Sequence, residues 1–221
     1  MDSKKILKAI IFDFDGVICE SVDVKIEAFR KLFAHIPEHV DEIVAYHTIH
    51  GGVSRFKKFE YIYAHILNEP LSEDLSQELG RKFTEYSLQG VLESDFVPGA
   101  DTFLQRHHER YLLFIASGTP DDEMREVVER RELRKYFKGV YGSPATKKDI
   151  IETIIKENQL KRDEILFVGD SITDYNGAKE AGVAFIGRVH PNKDNPFMDV
   201  DVKHFINDIN GLNDFMREHF L

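Results

Sequence analysis

The chain has 221 residues, of which 42% are hydrophobic and 31% are charged, enough for one core and a small additional domain. Its formal net charge of −10 disfavours binding to nucleic acids and to anionic membranes, because such a surface repels phosphate groups. We find no apolar run of membrane-spanning length and no cleavable signal segment, and Cys19 is the only cysteine, so we expect a cytoplasmic protein without an internal disulfide bond.

The first predicted element is a short apolar strand that ends in two carboxylates. Residues 8–17 read KAIIFDFDGV, and an apolar run this short is typical of a buried parallel strand. Asp13 and Asp15 follow it, and side chains two residues apart on an extended chain lie on the same side. Sites in open α/β sheets lie at the carboxyl ends of strands, so these acids are candidates for a nucleophile or a cation site. The alternative is a pair of solvated acids in a polar turn.

Residues 19–95 contain no convincing strand pattern. Apolar residues recur there at three- and four-residue steps, which predicts helices, and Ser54 and Ser72 stand at candidate N-cap positions. We therefore predict an all-helical cap at 19–95, inserted into a core that consists of 1–18 and 96–221.

Strand and helix patterns alternate through the rest of the chain. This alternation predicts a Rossmann-like parallel sheet with helices on both faces. We expect further strands at 111–116, 139–141, 165–168, 183–186 and 204–206, and helices at 99–109, 121–134, 147–158, 173–181 and 207–219.

Polar residues follow three of the later strands. The Ser117 hydroxyl, beside Gly118, would point into the crevice next to unpaired backbone amides, although a turn serine bonded to its own backbone is the alternative. Lys147 begins a helix, at the wrong end for the helix dipole, which hints at contact with a phosphate; two exposed lysines are the alternative. Asp170 and Asp174 follow the fourth strand.

The strand-end acids predict a metal site. If the fourth strand lies beside the first, then Asp13, Asp15, Asp170 and Asp174 converge. Carboxylates in one crevice repel each other unless a cation neutralises them, and oxygen ligands without nearby histidine or cysteine favour Mg²⁺.

Four motifs, taken in chain order, resemble those of the haloacid dehalogenase-like hydrolase superfamily, and most of all its phosphoglycolate phosphatase and β-phosphoglucomutase branch. They are DFDGV at 13–17, SGT at 117–119, Lys147, and GDSITD at 169–174. The resemblance covers the whole chain, including a helical cap inserted after the first motif.

The resemblance implies a phosphatase that works through a covalent intermediate. Asp13 would attack phosphorus to form an aspartyl-phosphate, and Asp15 would protonate the leaving oxygen and then activate water. Ser117, with Gly118 beside it, and the lysine of the third motif would hold the transferring phosphoryl group. Many relatives have proline directly after that lysine, whereas Lys148 follows Lys147 here, so Lys148 is a rival for this role.

The resemblance also implies a Mg²⁺ site. The ion would bind the Asp13 carboxylate, the main-chain carbonyl of Asp15 and the Asp170 carboxylate, with Asp174 in support through water or an outer shell.

The cap stretch GVSR at 52–55 resembles a motif of the mutase branch, in which the arginine grips a second phosphate or a carboxylate. Arg55 is the corresponding residue, and the alternative is a surface charge near Glu60. Gly51 and Gly169 replace the lysine and the glutamate that are usual in mutases, and both differences favour a phosphatase.

The predicted function is therefore Mg²⁺-dependent hydrolysis of a small phosphorylated metabolite, either a phosphoglycolate-like acid or a sugar phosphate. A phosphosugar mutase is the alternative. Asp15 argues against dehalogenation, because dehalogenases of this superfamily lack the second acid, and the intact acids argue against a non-catalytic scaffold. His47 and His50 have no further ligand at zinc spacing, and no nucleophile pattern surrounds Cys19. The sequence does not indicate an oligomeric state.

Overall fold

The computed structural model describes residues 6–220, and within them six parallel strands form one sheet in the order β3-β2-β1-β4-β5-β6. Residues 1–5 and 221, which the sequence analysis assigned to the core domain, lie outside the described residues. The strands are β1 (Ala9–Phe12), β2 (Leu112–Pro120), β3 (Gly139–Ser143), β4 (Ile165–Gly169), β5 (Ala184–Arg188) and β6 (Phe205–Ile206).

The register of the central strands determines where the site lies. Phe12, the last residue of β1, pairs with Ile115 in β2 and with Val168 in β4. Strands β1 and β4 therefore end side by side, and β2 continues beyond them. The strand order reverses beside β1, since the chain goes outward to β2 and β3 and then returns to β4 on the other side. Parallel sheets form their ligand crevice at such a switch point.

The segment between β1 and β2 is largely helical and has a hydrophobic core of its own. Phe29, Phe33, Phe59 and Phe83 are fully or almost fully buried together within it. Its helices are α1 (Val22–Leu32), α2 (Val40–Ile49), α3 (Arg55–Tyr61), a π-helical continuation of α3 (Ile62–Leu67) and α4 (Glu73–Glu93).

The fold is therefore an α/β sheet with an inserted helical cap, as the sequence predicted. The chain leaves and re-enters the sheet domain through adjacent segments, since the Glu20 N–H donates to the Asp95 carbonyl at 2.9 Å and the Val97 N–H to the Ile18 carbonyl at 3.0 Å. The cap boundaries at 19 and 95 stay a prediction.

Helices cover both faces of the sheet because alternate strand residues point to opposite faces. Ile10 and Phe12 pack in one cluster with helices α5 (Ala100–His107), α6 (Asp121–Arg130) and α9 (Asn210–His219). Ala9 and Ile11 pack on the opposite face with α7 (Lys147–Asn158) and α8 (Ile172–Ala181). Short 3₁₀ turns lie at Arg134–Tyr136 and Arg162–Glu164.

Two local predictions differ from the structure. Strand β2 extends beyond residue 116, because Pro120 pairs with Ser143 after an irregularity that begins at Ala116. Ser54 precedes α3 as expected, but its side chain makes no capping hydrogen bond, whereas Ser72 accepts one from the Leu75 N–H at 3.2 Å. Among the described helices we find none whose length and apolar character would let it cross a membrane.

Candidate active site

Asp13 extends strand β1 into the crevice. Its N–H donates to the Val168 carbonyl at 2.9 Å, so the pairing with β4 continues one residue beyond the strand. The residue is only 3% exposed, and its Oδ1 accepts a hydrogen bond from the Phe14 N–H at 2.7 Å. The Asp13 carboxylate is thereby fixed at the carboxyl end of the central strand.

Asp170 and Asp174 lie beside Asp13, as the pairing of β1 with β4 requires. One carboxylate oxygen from each of the three lies within 4.8 Å of the others. Asp174 is held by the start of α8, where its Oδ2 accepts hydrogen bonds from the Ser171 N–H at 3.1 Å and the Ser171 hydroxyl at 2.6 Å. Three carboxylate oxygens without imidazole or thiol form a donor set that suits a hard divalent cation.

Gly16 allows this close arrangement. Its φ is +75°, which favours glycine, and a Cβ at this position would lie 2.1 Å from Asp170 Oδ2. Any larger residue would displace the Asp170 carboxylate, so the glycine of the first motif has a packing role at the acidic cluster.

Lys147 alone does not offset the negative charge of the acidic cluster. Burial and the neighbouring Asp174 raise the pKa of Asp13 to about 7, although Lys147 acts in the opposite direction. Burial, followed by Asp13 and Asp174, raises the pKa of Asp170 as well. The acids are therefore not all ionised at neutral pH unless a further cation joins them.

A buried carboxylate oxygen is a second observation that fits a bound cation. Asp174 Oδ1 receives no hydrogen bond of satisfactory geometry, and its ion-pair partner among the described residues is the Lys147 ammonium, 2.7 Å away. The residues present thus fit a divalent ion.

Lys147 rather than Lys148 enters the crevice. Its Nζ lies 3.1 Å from Asp13 Oδ1 and donates to the Ala116 carbonyl at 2.6 Å. Burial lowers the pKa of Lys147, but Asp13 and Asp174 more than offset this effect, so the pKa lies above its ordinary value and the side chain is charged. Lys148 is exposed, and its Nζ lies 3.9 Å from Glu180.

The Asp15 side chain is engaged by α1. The Ser21 hydroxyl donates to Asp15 Oδ1 at 2.6 Å, and Lys25 forms an ion pair with Oδ2 while donating to Thr119 Oγ1 at 2.6 Å. Burial raises the pKa of Asp15, but the charge and hydrogen bond of Lys25 outweigh it, so the pKa lies below its ordinary value. We did not predict Lys25, although it falls on the same helical face as Val22 and Phe29 of the apolar stripe.

Ser117 and Gly118 lie in the irregular part of β2. Ser117 is buried, and its Oγ accepts a hydrogen bond from the Thr119 N–H at 3.1 Å, which is the turn arrangement named above as the alternative. Gly118 lies against the cap, since a Cβ there would be 2.4 Å from the Gly52 carbonyl oxygen. The cap loop at residues 51–53 therefore contacts the crevice at Gly118 and lines its cavity.

Arg55 is buried, so the alternative of a surface charge near Glu60 is wrong. Its guanidinium pairs with Glu123 at 2.6 Å and donates to Thr84 Oγ1 at 2.7 Å. The Thr84 hydroxyl in turn donates to Glu123 at 2.6 Å. Arg55 thus connects two cap helices with α6 of the core, although it also lines the crevice.

Arg188 is a further residue that the sequence did not point to. It is buried at the end of β5, where it donates to the Gly16 carbonyl at 3.2 Å and pairs with Glu20 at 2.5 Å. It therefore supports the loop that carries Asp13 and Asp15.

The crevice opens into a cavity of about 950 Å³ between the sheet and the cap. Its floor carries the acids, whereas its cap side carries cations and apolar side chains. The cap side includes Lys25, Ile26, Phe29, Arg55, Lys58 and Phe83.

The other candidate groups do not form reactive sites. Among residues 6–220, only Asp13, Asp170 and Asp174 group their oxygens at metal-binding distances, and neither His47 nor His50 belongs to such a set. Burial raises the pKa of the Cys19 thiol to about 12, so this residue is not a nucleophile at neutral pH.

The chain resembles known proteins in sequence and in fold. Residues 10–188 match the family model for haloacid dehalogenase-like hydrolases. The chain is 28% identical over 189 residues to a phosphoglycolate phosphatase from Vibrio parahaemolyticus, which covers 82% of this chain and 83% of that protein.

Solved structures show the same fold. CbbY from Rhodobacter sphaeroides, solved in complex with phosphate, superposes with a TM-score of 0.72 at 17% identity, over 94% of this chain and 96% of its own. The hydrolase YfnB from Bacillus subtilis, solved with bound magnesium, superposes with a TM-score of 0.71 at 19% identity, over 96% of this chain and 100% of its own.

Proposed function

The chain belongs to the haloacid dehalogenase-like hydrolase family and is a phosphoric monoester hydrolase, and on that premise we propose that it hydrolyses a small phosphorylated metabolite with Mg²⁺ and through an aspartyl-phosphate on Asp13. The observation that carries the proposal is the meeting of Asp13, Asp170, Asp174 and Lys147 at the switch point of the sheet. A cytoplasmic location is part of the proposal and rests on the single cysteine.

In the first half-reaction, a carboxylate oxygen of Asp13 attacks phosphorus and the bond from phosphorus to the ester oxygen breaks. The leaving oxygen takes a proton from Asp15. In the second half-reaction, Asp15 removes a proton from water, which attacks phosphorus and releases inorganic phosphate and free Asp13. The pairing of Asp15 with Lys25 favours the ionised form that the second step uses and opposes the protonated form that the first step uses, so Asp15 has to leave Lys25 and take up a proton before it acts as the acid.

The remaining groups balance charge and position the phosphoryl group. Lys147, charged and held by the Ala116 carbonyl, supports the Asp13 carboxylate and is placed to contact phosphoryl oxygens. Asp13, Asp170 and Asp174 are the side chains that would hold Mg²⁺, which when bound offsets their negative charge and that of the phosphoryl oxygens. The curated relative named above is a phosphoglycolate phosphatase, which supports a small phosphorylated substrate.

The first test is hydrolysis of p-nitrophenyl phosphate with Mg²⁺ and with excess EDTA. We expect Asp13→Asn to lose at least about a thousandfold in kcat, because the amide neither attacks phosphorus nor forms the intermediate. Asp163→Asn is the matched control and should keep wild-type activity, because Asp163 is an exposed acid that precedes the amino end of β4, whereas Asp170 follows the carboxyl end of that strand.

Two outcomes of this experiment would count against the proposal. Full activity of Asp13→Asn would exclude Asp13 as the nucleophile, and full activity in EDTA would exclude the metal. Incubation with a sugar phosphate distinguishes the mutase alternative, because a phosphatase releases inorganic phosphate whereas a mutase converts one sugar phosphate into another.

A further inference from the structure

Lys58 is a buried cation in the cap that has no acidic partner. It lies on α3, is only 3% exposed and lines the cavity above the acids. Its Nζ donates to the His47 carbonyl at 3.1 Å and lies 3.2 Å from His47 Nδ1. No carboxylate among residues 6–220 forms an ion pair with it, whereas Lys25 pairs with Asp15 and Arg55 pairs with Glu123. An ammonium has three N–H donors, so one remains for a ligand.

His47 holds Lys58 without neutralising it. Burial lowers the pKa of His47 to about 2, with Lys58, Lys25 and Arg55 acting in the same direction, so the imidazole is neutral. The ring stacks on Phe29 with centroids 3.8 Å apart, which fixes its orientation. His47 therefore serves as a rigid acceptor and leaves the positive charge of Lys58 uncompensated.

The surroundings of Lys58 favour an anion. The pKa of Lys58 is lowered to about 7, first by burial and then by the charges of Lys25 and Arg55, whereas Asp15 acts in the opposite direction. A buried charge of this kind is costly unless a counter-charge meets it. An anionic group of a ligand would supply that counter-charge and favour the charged form of Lys58.

We propose that Lys58, oriented by His47, binds an anionic group on the leaving group of the substrate, either a carboxylate or a second phosphate. This inference rests on the proposed function, because it assumes that the ester phosphate occupies the acidic floor. Arg55, which the sequence pointed to for this task, is already occupied by Glu123 and Thr84. The cavity, at about 950 Å³, lies near the upper end of about 300–1,000 Å³ for small-molecule sites, so it has room for a sugar-sized leaving group.

A size-matched substrate pair tests the inference. Glucose 6-phosphate and 6-phosphogluconate differ by a carboxylate at the end far from the phosphate, and fructose 1,6-bisphosphate carries a second phosphate instead. We expect the wild-type enzyme to have a kcat/KM at least about tenfold higher for one of the two anionic substrates than for glucose 6-phosphate, which corresponds to about 1.4 kcal/mol. Which of the two is favoured identifies the anionic group.

Lys58→Met should abolish this preference, with the loss in KM rather than kcat, and Lys58→Arg should restore part of it. Lys57→Met is the matched control, because Lys57 is the exposed neighbour on the same helix, and it should keep the wild-type ratio. For each variant, the kcat/KM of every substrate is divided by the kcat/KM of p-nitrophenyl phosphate, which corrects for a general loss of activity. The melting temperature of each variant is measured to detect a loss of stability.

The possible outcomes separate this inference from the proposed function. A wild-type enzyme that hydrolyses p-nitrophenyl phosphate but prefers neither anionic substrate, or a Lys58→Met variant that keeps the preference, overturns the role of Lys58. A Lys58→Met variant with a lower melting temperature and equal losses on all substrates shows that Lys58 only stabilises the end of α2, and this also overturns it. No hydrolysis of any phosphate ester by the wild type overturns the proposed function itself.

Discussion

At the scale of single residues, His47 is held neutral in the cap and this has a consequence for stability. Its pKa is about 2 in the folded protein, because it is buried and faces Lys58, Lys25 and Arg55, and about 6.5 in the unfolded chain. Between these values the unfolded state binds a proton that the folded state does not. Stability from this residue is therefore present above pH 6.5 and falls as the pH drops below it.

We predict that the free energy of unfolding of the wild type falls by about 2 kcal/mol more than that of His47→Gln between pH 7 and pH 5. Glutamine keeps an acceptor for Lys58 but does not titrate. Urea unfolding of both proteins at both pH values measures this difference in the free energy of unfolding. Asp13 and Asp170 change the stability with pH in the opposite direction, but they do so equally in both proteins, so their effects cancel. Equal losses in the two proteins would show that His47 takes up a proton in the folded state.

The sequence predicted some residues of the site and missed others for a physical reason. Asp13 and Asp170 could be placed because each directly follows a strand, and neighbouring parallel strands end together. The position of Lys58 beside His47 could not be predicted, because it depends on how α3 packs against α2. Periodicity predicts the buried face of a helix but not the element that packs against it. Lys25 was predictable in part, as a lysine on an apolar stripe.

At the scale of elements, the contact of Arg55 with Glu123 joins the cap to the core. The two residues are 68 positions apart, and both side chains are largely buried. Removal of one partner leaves the other as an uncompensated buried charge, which is more costly than replacement of both.

We predict that Arg55→Met lowers the free energy of unfolding by about 3 kcal/mol, and that Arg55→Met combined with Glu123→Leu recovers most of this loss. Chemical denaturation of the wild type, both single variants and the double variant measures the coupling. If Arg55→Met leaves stability unchanged, the ion pair does not hold the cap and Arg55 is available to bind substrate.

The elements themselves were more predictable than their ends. The strands expected at 165–168 and 183–186 correspond to β4 and β5, because short apolar runs between helical patterns leave few alternatives in a parallel sheet. The extension of β2 to Pro120 was not foreseen, because it depends on pairing with Ser143 across an irregular stretch. That irregular stretch carries Ser117 and Gly118, so the least predictable backbone lies at the site.

At the scale of the whole molecule, one cavity lies between the sheet and the helical cap. The sheet brings the acids together, and the cap adds the cations Lys25, Arg55 and Lys58 on the opposite side of one cavity. A phosphate ester with a second negative charge would therefore lie between the acids of the sheet, which would bind a metal ion, and the cations of the cap. The family resemblance pointed to the acids and, in the cap, to Arg55. Lys25 and Lys58 were not predicted, because their setting depends on contacts between distant segments.

The most direct measurement of the central claim is calorimetric titration of the metal-free protein with Mg²⁺. The wild type and the Asp163→Asn control should bind one ion per chain with the same affinity, and Asp170→Asn should bind it at least about tenfold more weakly, because an amide replaces one of the carboxylates. The absence of binding by the wild type, or equal affinity in Asp170→Asn, would contradict a metal site at the meeting point of Asp13, Asp170 and Asp174.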